Sequence, residues 1–191
     1  MKKSMLTENE KESFLIRLYF KTDKNFEDAG IKRAYLDFSR TLEIPENSSK
    51  EERDILRKNT QVFLKTELYN LISTEIKSQA DFDQKHKQIC EKLLNHWNEL
   101  SFGQSQKWVN MSLKYWLLFG ENRIRNIENN AMFFHIPIDS IIQERFFQKG
   151  LAAWSKIDTY EKYFWYQEDF RKRNLDKIPI LEEFREFNKV K

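Results

Sequence analysis

Glycine and proline punctuate this chain so rarely that a fold built on many tight turns is closed to it. Four Gly and three Pro are spread over 191 residues, too few for the hairpins of a β-rich domain. Between them, apolar residues recur at the three- and four-residue spacing of helices. Thr7 with Glu10 predicts a capping box ahead of a short amphipathic helix carrying Phe14, Leu15, Leu18 and Tyr19. A second helix carries Ile31, Tyr35, Phe38 and Leu42 and ends before Pro45. Ser49 with Glu52 caps a longer helix that includes Ile55, Leu56, Val62, Phe63, Tyr69 and Ile72. Asp81 with Gln84 opens the next, with Phe82, His86, Ile89, Leu93 and Trp97 along one face. From about Gln104 to Phe119 the apolar residues lie nearly all round the axis, which predicts a buried central helix. Polar Glu121 to Asn130 reads as an exposed loop with some helical turns, and Pro137 ends an extended segment. A helix from about Ile138 to Lys149 is stopped by Gly150. Asp158 with Glu161 caps an aromatic-rich helix through Tyr160, Tyr163, Phe164 and Phe170, and Pro179 precedes a last one with Leu181, Phe184 and Phe187. The expected fold class is all-α, with about eight helices in one domain. Residues 1–191 read as a single domain, or as one split into lobes of about 1–99 and 100–191 around a cleft.

Composition narrows the function classes. Apolar residues make up 40% and aromatics 15%, enough for a sizeable core, and a net charge of +3 neither requires nucleic acid nor excludes it. The single Cys90 permits no internal disulfide, which points to a reducing, cytoplasmic setting. The first residues hold no apolar stretch of the signal-peptide kind. The longest purely apolar run, Tyr115 to Phe119, is far short of a membrane span, so no membrane partner is expected. His86, His96 and His135 lie on different elements, and no Cys or His pair has metal-ligand spacing, so no metal is expected. His86 reads as a core histidine and His96 as a surface one, while Trp154 and Trp165 read as core rather than as a base-stacking platform. Neither a glycine-rich phosphate loop nor a Gly-x-Ser-x-Gly elbow is present. The cluster Arg171-Lys172-Arg173, with Lys177 beyond, closes a helix. Its plain reading is a solvated helix end whose cations complement the dipole; its functional reading is a patch that contacts phosphates.

Two residues carry the chemistry. Ser101 to Gln106 (Ser-Phe-Gly-Gln-Ser-Gln) reads as a tight turn at Gly103 that leads into the apolar helix, with Lys107 in its first turn. A lysine beside so apolar a helix is held near a dry region, and desolvation favours the neutral, nucleophilic amine. Lys114 lies seven residues on, on nearly the same face and roughly 10 Å further along the axis. His135-Ile-Pro-Ile-Asp139 then places an aspartate at the start of the following helix. Read singly, Lys107 is an exposed lysine with a packed stem and Asp139 a helix cap. Read together, they form a nucleophile and its electrostatic partner.

This pattern resembles the helix-hairpin-helix superfamily of DNA glycosylases, and within it the archaeal 8-oxoguanine DNA glycosylase subfamily. The likeness rests on Gly103 in the presumed hairpin, on Gln106-Lys107, on Lys114, and on Ile136-Pro137-Ile138-Asp139. The lysine and aspartate stand 32 residues apart, similarly far in that subfamily. It covers about Leu100 to Phe147. The resemblance implies base-excision repair: removal of an oxidised purine from double-stranded DNA, with Lys107 forming a Schiff base, Asp139 assisting it, and lyase cleavage following. It implies further that Gly103, Gln104, Ser105 and Gln106 bind a DNA phosphate, with Arg171, Lys172 and Arg173 adding contacts, and that Lys114 and Pro137 line the site. No cofactor is implied beyond a monovalent cation at the hairpin, and the protein would act as a monomer. The hairpin departs from the family pattern at Ser105, where a second glycine is usual, and at Phe102, where a proline or small residue is usual. Two other readings fit the same residues: a noncatalytic helical module that binds nucleic acid, and a helical protein-interaction domain in which Lys107 and Asp139 are an ordinary ion pair.

Overall fold

Side-chain caps set where most of the helices begin. The computed structural model describes residues 6–43, 48–147 and 151–189, which form eight α-helices, three short 3-10 turns and no strand. The helices are α1 (Glu8–Phe20), α2 (Phe26–Phe38), α3 (Lys50–Ser73), α4 (Gln79–His96), α5 (Phe102–Phe119), α6 (Ser140–Phe146), α7 (Tyr160–Arg173) and α8 (Pro179–Phe187). Thr7 with Glu10 and Ser49 with Glu52 make the expected reciprocal capping boxes of α1 and α3. Two other starts differ from expectation. Ser78, not Asp81, caps α4 by accepting from the Asp81 N–H, while Asp81 reaches back to the Lys77 N–H. Thr159, not Asp158, caps α7, and Asp158 instead pairs with Lys162. A hydroxyl adjacent to the first turn outcompetes the aspartate in both cases. The stop signals read at Pro45 and Gly150 lie outside the described residues.

α5 is the axis of the molecule, and 16 of its 18 residues are buried. α2 crosses one face of it closely, because Gly30 presents no side chain. A Cβ at Gly30 would lie 2.7 Å from the Trp116 ring. The two large indoles of α5 also find polar partners on α2, Trp108 donating to the Ile31 carbonyl (3.1 Å) and Trp116 to the Glu27 carbonyl (3.0 Å). α3 and α4 pack behind, and α7 and the 3-10 turn Trp154–Lys156 close the opposite side. α1 turns Ile16 and Phe20 inward and leaves Phe14, Leu15 and Leu18 exposed, so its buried face is narrower than its composition predicts. The polar stretch after α5 is a run of turns, yet it buries Ile124 and Ile127. Between the 3-10 turn Ala131–Phe133 and α6, residues 134–138 run extended and fully buried with no sheet beside them. No helix among the described residues is long and apolar enough to cross a membrane.

Candidate active site

The extended segment delivers Asp139 to the side of α5 on which Lys107 stands. Lys107 lies in the second turn of α5, and its Nζ donates to Asp139 Oδ2. The other carboxylate oxygen, Oδ1, caps α6 by accepting from the Ile142 N–H at 2.8 Å. Asp139 is therefore a helix cap and an ion-pair partner at once, each oxygen with its own donor. The lysine side chain is 5% exposed and the aspartate 19%, so the pair opens to solvent only on the aspartate side. Trp154 covers the ammonium, with its ring centre 5.5 Å from Nζ, close enough for a cation–π contact.

The pair forms part of the wall of a cavity of about 620 Å³, in the range of sites that enclose a small organic ligand. Lys114 lies along the same wall, 2.7 Å from Glu183 of α8, and both side chains are more than nine-tenths buried. The Phe184 and Phe187 rings flank this ammonium at 4.8 and 4.9 Å. Burial pushes the Glu183 carboxyl above its usual range, with Lys114 pulling it back. Across the cavity Tyr115 donates to Asp37 (2.5 Å), Tyr19 lies 3.3 Å from the Tyr115 hydroxyl, and Arg33 pairs with Asp37. Burial raises the Asp37 carboxyl as well. Residues from both halves of the sequence therefore meet at this cavity. Asp37 and Tyr115 were not expected there, nor was Glu183 as the partner of Lys114. Glu183 could have been found from its place in the apolar stripe Ile180, Glu183, Phe184, Phe187, where a lone carboxylate calls for a buried partner.

The expected hairpin does not form. Ser101 with Gln104 is a capping box: the Ser101 hydroxyl accepts from the Gln104 N–H (3.1 Å), and the Gln104 side chain accepts from the Ser101 N–H (2.9 Å). The helix therefore begins at Phe102, and Gly103, Gln104, Ser105 and Gln106 lie buried in its first turns. Each is committed internally. The Gly103 N–H donates to the Ile157 carbonyl (2.9 Å), Gln104 donates to Thr41, Ser105 donates to the Cys90 carbonyl (3.0 Å), and Gln106 donates to Ile138. These four residues offer no loop for a DNA phosphate or a monovalent cation. Pro137 sits buried in the extended segment behind the cavity rather than in its lining.

The basic cluster lies elsewhere. Arg171 makes two bonds to Asp83 (2.9 and 3.1 Å), Arg173 pairs with Asp169, and Lys172 is exposed. None of the three lines the cavity. Asp83 also binds His135 Nε2 (2.7 Å), whose Nδ1 lies 2.7 Å from the Tyr163 hydroxyl. His86 and His96 share α4 rather than lying on different elements: His86 is a core histidine, 2.9 Å from Asn110, and His96 is exposed and stacked on Phe63. Burial pushes the Cys90 thiol up and away from nucleophilic chemistry. Trp154 is buried, while Trp165 is 47% exposed rather than in the core. Among the described residues no group of three or more His, Cys, Asp or Glu could hold a metal ion. Comparison with protein-family models, with curated proteins and with solved structures gives no match, so the chemistry of this site is read from its own residues.

Proposed function

We propose that this protein is a base-excision DNA glycosylase with lyase activity that removes an oxidised purine from double-stranded DNA through a Schiff base on Lys107. The observation that supports it is a buried lysine paired with an aspartate in the wall of a cavity large enough for a flipped nucleotide. Asp139 takes the ammonium proton, and the neutral Nζ attacks C1′ of the sugar. The C1′–base bond breaks, the electron pair leaves with the base, and the base acquires a proton. The Asp139 carboxylate offsets positive charge developing on the sugar. Ring opening then gives the C1′ imine. Loss of a C2′ proton expels the 3′ phosphate, and water hydrolyses the imine to release the lysine.

Borohydride trapping tests this. Duplexes carrying 8-oxoguanine or an abasic site should each give a covalent adduct on reduction, and Lys107→Gln should abolish it. If neither duplex gives an adduct that depends on Lys107, the enzyme reading fails. A second reading makes Lys107 and Asp139 an ordinary ion pair joining α5 to α6 in an interaction or nucleic-acid-binding module. The doubly bonded Asp139 supports it, but it gives the cavity no role. It would be favoured by absence of the adduct, and salt-dependent binding to undamaged duplex would then separate a nucleic-acid binder from an interaction domain.

A further inference from the structure

The extended segment that carries Asp139 has a backbone problem. It is buried, it has no neighbouring strand, and each buried N–H and C=O needs a partner. Two glutamines supply them at Ile136 and Ile138. Gln167 of α7 donates to the Ile136 carbonyl (2.8 Å) and accepts from the Ile136 N–H (3.1 Å). Gln106 of α5 does the same for Ile138, at 2.8 and 3.2 Å. Pro137 between them has no N–H to satisfy. Each primary amide thus stands in for one residue of an absent strand.

The two clamps differ in what they hold. Gln106 immediately precedes Lys107, and Ile138 immediately precedes Asp139, so one side chain ties together the neighbours of both. Gln106 is itself fully buried and immobilised: its Nε2 also donates to the Gly103 carbonyl (2.9 Å), and its Oε1 also accepts from Asn110 Nδ2 (3.0 Å). That uses two donors and two acceptor sites, the whole capacity of a glutamine amide. Asn110 is fixed in turn by Tyr163 (2.9 Å) and His86. No other side chain of this length both donates twice and accepts twice.

We propose that Gln106 is a positioning residue: its amide, bonded to both backbone groups of Ile138, sets the Asp139 carboxylate against Lys107. The consequence for catalysis rests on the glycosylase reading, while the positioning itself does not. Gln167 provides the matched control, because Gln167→Met strips the same two bonds from Ile136 but leaves the residue before Asp139 clamped. Two measurements read the proposal. In single-turnover trapping on an abasic duplex at saturating protein, Gln106→Met should slow adduct formation about 100-fold, the effect of a misplacement near 1 Å, with DNA affinity unchanged. Gln167→Met should trap at close to the wild-type rate despite a similar fall in urea midpoint. The second measurement needs no DNA: reductive methylation with formaldehyde and cyanoborohydride, followed at Lys107 by peptide mass spectrometry. Asp139→Asn, which takes the anion from the ammonium, should label several-fold faster than wild type. Gln106→Met should follow it, and Gln167→Met should not. Should Gln106→Met fail to fold, Gln106→Asn keeps an amide that is one methylene too short to reach Ile138 and is read in its place. Labelling of the Gln106 variant at the wild-type rate, or equal acceleration in both glutamine variants, would overturn the proposal. If wild type gives no adduct on DNA, the glycosylase reading falls, and the labelling pattern alone decides the positioning.

Discussion

Lys114, in the cavity wall, and Glu183, outside its lining, form a buried ion pair, 8% and 3% exposed, and a pair so placed is asymmetric in its energetics. Two desolvated charges that face each other can contribute little net stability, but one left alone is strongly destabilising. Glu183 already has its carboxyl raised by burial, and Lys114 is what pulls it back. Lys114→Met should therefore destabilise the protein by about 3–5 kcal/mol, whereas Lys114→Met with Glu183→Met together should come close to wild type. Urea unfolding of the two single variants and the double variant decides this. Single-variant losses below about 1 kcal/mol would mean that water reaches the pair and screens it. The same arithmetic separates the two lysines of α5. Lys107 pairs with an aspartate that is partly open to solvent and already held by the α6 N-terminus. Asp139→Asn should therefore slow trapping while the urea midpoint falls less than in Lys114→Met.

At the scale of elements, the start of α5 shows how one glycine decides between two structures. Gly103 sits in the first turn of a helix, where alanine is normally the better residue by about 1 kcal/mol. Here a Cβ would lie 1.9 Å from the Trp154 carbonyl oxygen, a backbone atom that cannot rotate away. Overpacking of this kind destabilises by about 1–3 kcal/mol, so the clash wins over propensity. Gly103→Ala should lower the urea midpoint and also slow borohydride trapping, because the displaced turn carries the Trp154 ring that covers Lys107. Ser101→Ala, which removes the cap alone, should lower stability by about 1 kcal/mol and leave trapping near wild type. If Gly103→Ala is stabilising, the close approach of the two segments is not what holds them. The helices themselves were legible because their signals are local: periodic apolar residues and, at Thr7 and Ser49, hydroxyl–glutamate caps. The Ser101–Gln104 cap carries the same kind of signal, but Gly103 between them reads as a turn when its distant contact with Trp154 is unknown. Lys107 and Asp139 were legible as a pair from their contexts. The partners of Asp37 and Glu183 were not, because they stand 78 and 69 residues away: the apolar stripe around Glu183 signals that a partner is needed, but no local pattern says which.

Over the whole molecule, the buried polar network behind Asp139 binds α4, α5, α7 and the extended segment, and it should make folding sensitive to acid. His135 is fully buried between Asp83 and the Tyr163 hydroxyl, and its ring lies 4.4 Å from that of His86. Burial lowers the His135 pKa from its ordinary 6.5 to about 4, with the Arg171 charge adding to this and Asp83 opposing it. Burial also lowers His86, with His135 next in effect. In the unfolded chain these rings take up a proton as pH falls past 6.5, but in the folded protein His135 does so only near 4. Within that window unfolding binds protons, so stability must decrease as pH is lowered, by at most about 1.4 kcal/mol per pH unit for each proton taken up. Asp83 acts in a lower window. Burial would raise its carboxyl, but hydrogen bonds from His135 and Arg171 hold it below the usual 3.8, so its stabilisation is lost only in stronger acid. Urea unfolding at steps between pH 6.5 and 4 should show the decline, and His135→Gln should make it shallower by about one proton. An unchanged slope in that variant would assign the protons to His86 or to the surface. Because the segment that His135 anchors ends at Asp139, loosening it in acid should weaken the contact between Asp139 and Lys107 before the helices themselves unfold. Borohydride trapping in wild type should then fall ahead of far-ultraviolet circular dichroism as pH is lowered, and coincident loss of the two signals would show that the network and the helical body open as a single unit.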